Sequence, residues 1–501
     1  MAIIEELAVI HDPEADEAFH VEQHGVDYIP PSERWATARD VFGMWAGASV
    51  QIEYFIYGCI LMTFGLTFLQ VVIVIVLGNL SYLLLGLCSL QAPQTGTTVF
   101  AINRAAYGPN GGRPLSFFNW ITQIGFEVEG LILIVGAGLV LMIKAGFSPA
   151  DPAKVILVIV AVLLQGIIPF FGYAAIVKTL RALVIPFVVL FAVMLGFAIS
   201  HANTHVVAHS GDWQGFLEAL AFTIALSGLG WAECGNDYTR YCPAETSKKG
   251  IVGWVFLGTA VPEILVMTLG AVVGTFVLNI GTGAGGFLPF AHQSKIPAWF
   301  VVIFLIFAIV QLFAINSLDM YSSGVTLQAL GLPVKRYQAV LCDCVVALGV
   351  TMWAIFSGSF TEYLSDFVDV VIVWIAPWCA IFLVDWALRR YRYVPGELQK
   401  TGPDSMYWRA GGFHWPALIA QVVGMFAAIS ALYVNPTYYF RIPRWLNEVT
   451  DHTQDAYHYG ADFSVFLGLA VGGLVYAALA FRTVRREADE QDVLLKAEGL
   501  L

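Results

Sequence analysis

The sequence predicts an all-α integral membrane protein with about 12 transmembrane helices. The chain has 501 residues, of which 58% are hydrophobic and only 12% charged, with a mean hydropathy of +0.73. Soluble proteins carry about 25% charged residues, so this composition excludes a soluble globular enzyme. Most of its long apolar stretches reach the roughly 20 residues that a helix needs to cross a bilayer. They lack the alternation of barrel strands, which leaves helices as the spanning structure.

The segment 1–40 precedes the first apolar stretch. It is acidic between Glu5 and Glu22, and it then contains the pair Pro30-Pro31. It has no basic start, apolar run or small-residue cleavage site of the kind that secretion requires. We therefore expect no signal peptide here and a cytoplasmic N-terminal segment.

Two sets of six apolar spans follow. The first set lies near 41–66, 68–90, 117–143, 155–174, 182–200 and 215–235. The second set lies near 252–279, 298–320, 338–356, 364–388, 414–433 and 462–481. When the loops alternate sides, 20 of the 25 Lys and Arg residues fall on the side of the N-terminus. Cytoplasmic loops carry an excess of these cations, so this bias predicts that both termini are cytoplasmic.

The first and sixth spans are interrupted by small and polar residues. These residues are Gly43, Gly47, Ser49 and Gln51 in the first span and Ser227, Gly228, Gly230 and Gly235 in the sixth. Both spans also contain a Trp-Ala step, at Trp45-Ala46 and Trp231-Ala232. Paired interrupted helices five spans apart are typical of transporters built from two inverted repeats, where unwound backbone binds ions and substrate. Close helix packing through small residues is the alternative explanation for the glycines.

This pairing predicts the division of the chain. We expect a first five-helix repeat at 41–200, a second inverted repeat at 214–388, a cytoplasmic loop at 389–413, two additional helices within 414–481 and a cytoplasmic tail at 482–501.

Seven acids lie at predicted membrane depth, namely Glu53, Glu127, Glu129, Glu233, Glu263, Asp319 and Asp343. Acids inside a membrane are costly and normally face a cavity or a partner, although an acid near a helix end also reaches the interface.

Several other classes of protein are excluded. The formal net charge of −12 offers no basic patch for nucleic acid. The run Gly281–Gly286 is followed by no Lys-Ser/Thr pair, so it is no phosphate cradle, and we expect transport to be driven by an ion gradient. The seven Cys residues are expected to be small buried hydrophobes, since Cys342 and Cys344 lack the four ligands of a zinc site. His201, His205 and His209 have helical spacing, but they fall in a predicted outer loop, so we expect no metal site.

Three motifs resemble one family. They are the stretch Gly230–Pro243 with Asp237-Tyr238-Thr239-Arg240-Tyr241 near its end, the stretch Asn316-Ser317-Leu318-Asp319-Met320-Tyr321-Ser322, and the stretch from Ala376-Pro377-Trp378 to Arg389-Arg390. In this order and in these spans they resemble the purine/cytosine permease branch of the nucleobase:cation symporter-1 family. The resemblance covers about residues 25–482.

The resemblance implies the LeuT-like fold, with ten helices in two inverted repeats and two more helices. Substrate would lie between helices one, three, six and eight, and alternating access would import cytosine, a purine or a related heterocycle with a proton or sodium ion. It also implies a multi-pass protein of the cell membrane, in contact with membrane lipid and a small nitrogen heterocycle, that performs no covalent chemistry and needs no cofactor. A same-fold transporter for a thiamine-like cation, a hydantoin or allantoin is the first alternative. A channel or sensor is the second, and an intramembrane enzyme is the third.

The resemblance assigns roles to individual residues. Trp231 would stack on the substrate ring, and Phe126 lies where the family usually has a Trp. Asp319 stands where related permeases tend to have Asn, and ionised acids only accept hydrogen bonds, which favours a ligand rich in donors. The candidate substrate-binding residues are Trp231, Phe126, Gln51, Asn316, Asp319, Glu127, Glu129 and Glu233.

Cation coupling is expected at the interruption of the first span. The candidate coupling residues are Ala48, Ser49, Glu53 and Asp319. The turn Gln311–Ile315 lacks the paired hydroxyls that a sodium site favours, so we expect a proton rather than sodium. The candidate proton carriers are Glu53, Glu127, Glu129, Glu233 and Asp319.

Overall fold

The computed structural model describes residues 26–171, 173–203, 213–280, 286–357, 360–432 and 462–497. Within these ranges every regular element is a helix. Ten helical stretches in them are long and apolar enough to cross a membrane. Two shorter apolar helices, Ile52–Leu61 and Trp415–Ser430, lie in the first and eleventh predicted spans. The all-α membrane class is therefore confirmed, and the total of 12 spans stays a prediction.

In the described part of the first half of the chain, ten α-helices follow a short 3₁₀ turn at Pro31–Glu33. They are α1 (Ala38–Ser49), α2 (Ile52–Leu61), α3 (Phe68–Asn79), α4 (Tyr82–Cys88), α5 (Ala92–Thr95), α6 (Val99–Tyr107), α7 (Arg113–Lys144), α8 (Asp151–Gln165), α9 (Ile167–Phe171) and α10 (Tyr173–Ile199). The first of these helices begins with a capping box, in which the side chains of Thr37 and Asp40 bond each other's backbone N–H groups.

The described residues of the second half form ten more α-helices. They are α11 (Trp213–Ile224), α12 (Gly235–Thr239), α13 (Lys248–Gly274), α14 (Pro289–His292), α15 (Ala298–Ala329), α16 (Arg336–Ser357), α17 (Phe360–Leu388), α18 (Pro395–Gln399), α19 (Trp415–Ser430) and α20 (Ser464–Ala497). A π-helical turn at Ala225–Leu229 and a 3₁₀ turn at Ala232–Cys234 separate α11 from α12. The last helix extends 16 residues beyond 481, where the sequence predicts the end of the last span.

The centre of the molecule is a packed group of helices around the two interrupted spans. The long helix α7 packs along α15, and α13 packs against both α1 and α2. The contact between α2 and α13 requires glycine, because a Cβ added at Gly58 would lie 1.9 Å from the Met267 carbonyl oxygen. On the other helix, a Cβ at Gly270 would lie 2.0 Å from the Phe55 carbonyl oxygen. Small residues thus let these two backbones touch, as in other membrane helix pairs.

A second group, α17, α19 and α20, packs beside this centre. Its helices are joined by a buried charged network at one end. Arg389 pairs with Asp385 at 2.9 Å and with Glu487 of α20 at 2.9 Å. Arg409 also pairs with Glu487. Helix α20 is therefore fixed to α17 by charge as well as by apolar packing.

Candidate functional site

The first span breaks where its small and polar residues predict. The chain leaves the helical conformation at Val50 (φ −81°, ψ 70°) and Gln51 (φ −133°, ψ 162°), between α1 and α2. Ile52 at the start of α2 donates its N–H to Oε1 of Gln311 on α15, at 3.1 Å. Ala48 and Ser49 are buried at the end of α1, where the last carbonyls of a helix have no partner within it.

The sixth span breaks over a longer stretch. The π-helical turn contains Ser227 with a non-helical backbone (φ −101°, ψ −126°), and a 3₁₀ turn follows Trp231. Gly228 donates its N–H to Oγ of Ser81 at 3.0 Å, which fixes the break against α4. A Cβ at Gly228 would lie 2.1 Å from the Tyr82 nitrogen, so the close-packing explanation also applies here. Single π-helical turns occur frequently at functional sites.

Two aromatic rings face each other beside this break. The rings of Phe126 and Trp231 are nearly parallel, at an interplanar angle of 8°, with their centroids 6.4 Å apart. Both side chains are half-buried. Trp45 packs edge-on against Trp231 at 5.6 Å, and Phe367 packs edge-on against Phe126 at 4.9 Å. Edge contacts of this kind hold each ring in orientation from outside the pair.

The predicted acids cluster around Asp319. This side chain interacts electrostatically with Glu53, Glu127, Glu129 and Glu233, and all five are buried. Glu129 accepts a hydrogen bond from Tyr57, and Glu233 accepts one from Gln123 at 2.9 Å.

The acid cluster retains unused acceptors and has no cationic partner. Both carboxyl oxygens of Glu127, and one each of Glu129 and Glu233, have no hydrogen-bond partner. No Lys or Arg in the described part of the chain forms an ion pair with any of the five acids. Buried carboxyls without a cation are costly when ionised, so a proton, a metal cation or a cationic ligand would stabilise the cluster. Among the described residues, no group of His, Cys, Asp and Glu side chains has the arrangement of a metal site.

The amides of the predicted site lie in two different places. Asn316 donates its side-chain N–H groups to the Glu127 carbonyl at 3.1 Å and to Oε1 of Gln165 at 3.0 Å. Its oxygen packs against Gly130, where a Cβ would lie 2.2 Å away. This amide therefore joins α15 to α7 and α8 and has no donor left for a ligand. Gln51 is buried at the first break, and its side-chain oxygen has no partner.

The structure thus brings most of the predicted residues together. Phe126, Glu129, Glu233, Asp319 and Trp231 come from α7, α15 and the second break. Glu127 is placed toward α16, since its other electrostatic neighbour is Asp343.

Sequence reasoning missed Gln123, Tyr57 and Gln311, which hydrogen bond the acids or the break. Gln123 and Phe126 are three residues apart, and this helical spacing is the signal that would have included Gln123. His201 lies at the end of α10, and His205 and His209 lie outside the described residues.

Interrupted helices, buried carboxyls and a pair of parallel rings in one membrane bundle define a membrane transport protein. A family model described as "Permease for cytosine/purines, uracil, thiamine, allantoin" matches residues 28–451. Because that match extends over most of the sequence, the chain belongs to this family of permeases, which are not enzymes. The resemblance noted in the sequence is confirmed, and the chain is a multi-pass membrane protein.

Relatives along nearly the whole chain agree with this family. YxlA of Bacillus subtilis strain 168, named as a candidate purine-cytosine permease, is 26% identical over 492 residues, which cover 95% of this chain and 99% of the relative. The purine-cytosine permease fcyB of Emericella nidulans is 25% identical over 73% of each chain. The vitamin B6 transporter TPN1 of Saccharomyces cerevisiae is 22% identical over 77% of this chain and 70% of the relative.

A solved structure shares the fold. Mhp1, a nucleobase-cation-symport-1 family transporter in a closed conformation with bromovinylhydantoin bound, superposes with a TM-score of 0.71. The two chains are 17% identical, and the match covers 93% of this chain and 96% of Mhp1. The LeuT-like fold class implied by the sequence motifs is thereby confirmed, and its division into two inverted repeats stays a prediction.

Proposed function

We propose that this protein is a secondary transporter that imports a nucleobase, of the cytosine or purine type, together with a cation. The observation that carries the proposal is the pair of parallel rings at Phe126 and Trp231. A ring stacked on both faces at about 3.5 Å needs about 7 Å between them. The centroids are 6.4 Å apart, which is the upper limit of the spacing between the two ring planes, so the pair must open before a planar heterocycle can enter between the rings.

The edge of the ring would be recognised by the acids and the amide around the pair. Glu129, Glu233 and Asp319 accept hydrogen bonds when ionised, and Gln51 offers a free oxygen. Cytosine and the purines that carry amino groups present N–H donors along one edge. The names of the relatives from Bacillus and Emericella support a ligand of this class.

A cationic heterocycle is the second candidate. It is favoured by the five buried carboxyls around Asp319, none of which forms an ion pair in the described ranges. The family description includes thiamine, and one relative is a vitamin B6 transporter, which supports this alternative. A hydantoin or allantoin stays possible on the same scaffold, because small pocket changes alter the ligand on one fold.

We propose a proton as the coupling ion, with sodium as the alternative. Ala48 and Ser49 carry carbonyls at the first break, and Glu53 and Asp319 lie near each other across the pocket. Ser317, the hydroxyl nearest in sequence to the turn 311–315, donates to the Ala314 carbonyl at 2.5 Å and is engaged within its own helix. The buried acids can therefore carry a proton, whereas this part of α15 offers no free hydroxyl to bind a hard cation such as sodium.

Alternating access would move the predicted repeats, 41–200 and 214–388, around this site. A segment before α1 is bonded to one end of the bundle, because Arg34 donates to the Pro93 carbonyl at 2.7 Å and Ala36 donates to the Tyr241 carbonyl at 2.9 Å. We propose that the protein lies in the cell membrane, that this end of the bundle faces the cytoplasm, and that both termini are cytoplasmic. Import then requires these contacts to break once substrate and cation are bound.

The test is binding of a panel of compounds to purified protein by thermal shift. The panel contains nucleobases, ureides, hydantoins, thiamine and its pyrimidine precursor. We expect stabilisation by at least one nucleobase. Stabilisation by cationic heterocycles alone would overturn the nucleobase assignment and favour the second candidate.

Substitution of the stacking residue tests the site. Trp231→Ala is expected to weaken binding of the best compound by about 5- to 150-fold, since stacking on an aromatic ring is worth about 1–3 kcal/mol. Trp299→Ala is the matched control, because Trp299 is 60% exposed at the far end of α15. Equal affinity of the Trp231→Ala variant and the control would remove Trp231 from the site.

A further inference from the structure

A buried carboxyl outside the substrate pocket is connected to it by hydrogen bonds. Glu263 lies on α13 and is fully buried. One of its oxygens accepts a hydrogen bond from Tyr82 of α4, and the other accepts one from Ser227 in the break of the sixth span. Tyr54 and Asn79 also lie within reach of the carboxyl. The two carboxyl oxygens are therefore both held by hydroxyl groups.

Two further hydrogen bonds extend from Tyr82 to the pocket. The hydroxyls of Tyr82 and Tyr54 are 3.0 Å apart, and Trp231 donates its indole N–H to the Tyr54 hydroxyl at 2.9 Å. An indole N–H only donates, so Tyr54 must accept at that end of the chain. The direction of the bond between the two tyrosines is then set by the state of Glu263.

No cation offsets the charge of this carboxyl within the described ranges. The titratable groups that face it are Tyr54 from α2 and Tyr82 from α4, while α3 supplies the neutral amide of Asn79. Glu53 of α2 lies near Tyr54. Other charged residues in the described ranges lie on α13 itself and on the helices packed against it, and none of them forms an ion pair with Glu263. They are Arg39, Asp40, Lys178, Arg181, Lys248 and Lys249.

We propose that Glu263 is a proton-binding site that determines whether Tyr54 presents a hydrogen-bond donor to the ligand stacked on Trp231. This inference rests on the proposed function, since it needs a heterocycle at Trp231. It adds a proton site outside the five acids around Asp319.

In the ionised state, every donor points toward Glu263. Ser227 and Tyr82 each donate to one carboxylate oxygen, and Tyr54 donates to Tyr82. The hydroxyl proton of Tyr54 is then engaged, and only an oxygen lone pair remains for a ligand.

Binding of one proton to Glu263 reverses this chain. The new O–H of Glu263 donates to the Tyr82 oxygen, Tyr82 donates to Tyr54, and Ser227 still donates to the other oxygen. Tyr54 then accepts from both Trp231 and Tyr82, so its own O–H is free to donate to the ligand. No bond other than O–H is made, and the only species taken up is the proton.

The ligand favoured by the protonated state carries an acceptor at this edge, such as a ring nitrogen or a carbonyl oxygen. Proton and ligand therefore stabilise each other's binding, and by reciprocity each raises the affinity for the other. Joint binding of this kind is what a proton symporter requires. Glu263 acts here as a positioning residue, because it reaches the ligand only through Tyr82 and Tyr54.

The experiment is the pH dependence of ligand affinity for purified protein, using the best compound of the panel. In the wild type, affinity is expected to weaken as pH rises, with a limiting slope of about tenfold per pH unit for one linked proton. Glu263→Gln imitates the protonated state, since its amide donates to Tyr82 and its carbonyl accepts from Ser227. We expect this variant to keep the low-pH affinity of the wild type across the pH range in which Glu263 titrates, while any dependence that comes from the acids around Asp319 remains.

Two further variants make the test specific. Asp343→Asn is the matched control, because Asp343 is a buried acid of α16 that accepts from Trp120 at 2.9 Å, and an amide oxygen can replace that acceptor. It is expected to keep the wild-type slope. Tyr82→Phe keeps the carboxyl but cuts the hydrogen-bond chain, so it should flatten the slope as well, and it serves as the test if Glu263→Gln does not fold.

The outcomes separate the two proposals. If the wild type binds a compound and Glu263→Gln keeps the same slope of affinity against pH, the proton site is overturned and the proposed function stands. If only Tyr82→Phe folds, an unchanged slope in that variant has the same meaning. Absence of binding by the wild type to every compound overturns the proposed function, and the proton site falls with it. A reduced slope in Glu263→Gln and Tyr82→Phe beside the wild-type slope in Asp343→Asn supports the inference.

Discussion

At the scale of single residues, the position of Asp319 explains most of the electrostatic character of the pocket. It is the common neighbour of four other buried acids, and the described part of the chain places no ion-paired cation beside it. Replacing the Asp319 carboxyl by an amide removes one negative charge but changes the size of the side chain little. Such a replacement therefore alters which ligands the pocket prefers more than it alters the shape of the pocket.

Asp319→Asn should therefore change selectivity more than stability. A neutral amide supplies a donor as well as an acceptor, so we expect neutral bases with acceptor edges to gain affinity relative to cationic heterocycles, by about tenfold. Competition of the panel compounds against the best ligand measures this ratio. Asp343→Asn removes an acid that lies outside the aromatic pair and serves as control. An unchanged order of competitors would exclude Asp319 from ligand recognition.

The sequence predicts some of these residues and not others. Trp231 and Phe126 stand out because they adjoin an interrupted span and a pair of acids. Asn316 looks like a ligand-facing amide in its motif, but the close approach of α15 to Gly130 turns its side chain toward Gln165. Tyr54 is one of 20 Tyr residues in an apolar chain, and only tertiary packing shows that it bonds Trp231.

At the scale of elements, the contact between α2 and α13 connects the first break to the helix that carries Glu263. The two backbones touch at Gly58 and Gly270. The breaks themselves are local features that glycine and serine predict. The π-helical and 3₁₀ turns of the second break are not predictable in this way, because the Ser81 and Tyr82 contacts from α4 select them.

Gly270→Ala is expected to lower the stability of the protein in detergent by about 1–3 kcal/mol, the usual cost of overpacking. Its Cβ would lie 2.0 Å from the Phe55 carbonyl, where only backbone movement makes room. Gly253→Ala on the same helix meets nothing within 4 Å and is the matched control. We expect that control to be neutral or slightly stabilising, since alanine favours helix. Equal thermal unfolding temperatures of the two variants would contradict the close contact.

At the scale of the whole molecule, the last helix is fixed to the bundle by charge. Burial alone would raise the pKa of Glu487, but hydrogen bonds and charges from Arg409 and Arg389 lower it below the usual range. The sequence predicts a tail from 482 onward, because its residues are too polar for a span. The structure continues α20 to Ala497, since Glu487 and Gln491 bond Arg389. Hydropathy defines the spans, but it does not predict such polar docking.

Glu487→Gln should destabilise the protein by about 3 kcal/mol at neutral pH, because it removes the charged partner of Arg409 and one of the two carboxylates that pair with Arg389. Asp489→Asn is the matched control on the same helix. Its pair with Arg390 is exposed, so the expected cost is about 0–1 kcal/mol. Thermal unfolding of both variants in detergent measures the difference.

The effect of pH on this pair has a definite sign. A carboxyl whose pKa is lowered in the folded state stabilises the protein above its unfolded pKa, and this contribution is lost as pH falls through the folded pKa. The stability of the wild type should therefore begin to approach that of Glu487→Gln as pH falls below the ordinary glutamate pKa of about 4.3, and the two should coincide only below the lowered pKa of the folded state. A difference that stays constant into acid would contradict the pairing.

Different helices carry the pocket, the buried acid outside it and the separately packed group. The interrupted helices and α7 supply the pocket, α13 supplies the buried acid Glu263, and α17, α19 and α20 form a separately packed group. The helical class and the two breaks are predictable from hydropathy and from glycine and serine positions. The partners of each buried polar group depend on which helices meet, so they follow only from the folded structure.

Uptake into proteoliposomes tests the central proposal most directly. Purified protein is reconstituted, and accumulation of the radiolabelled best ligand is measured with inward proton and sodium gradients imposed separately. We expect saturable accumulation above the external concentration under the proton gradient, and its loss in Trp231→Ala but not in Trp299→Ala. Accumulation driven by sodium alone would contradict proton coupling. Equilibration without accumulation or saturation under either gradient would contradict secondary transport of this ligand altogether.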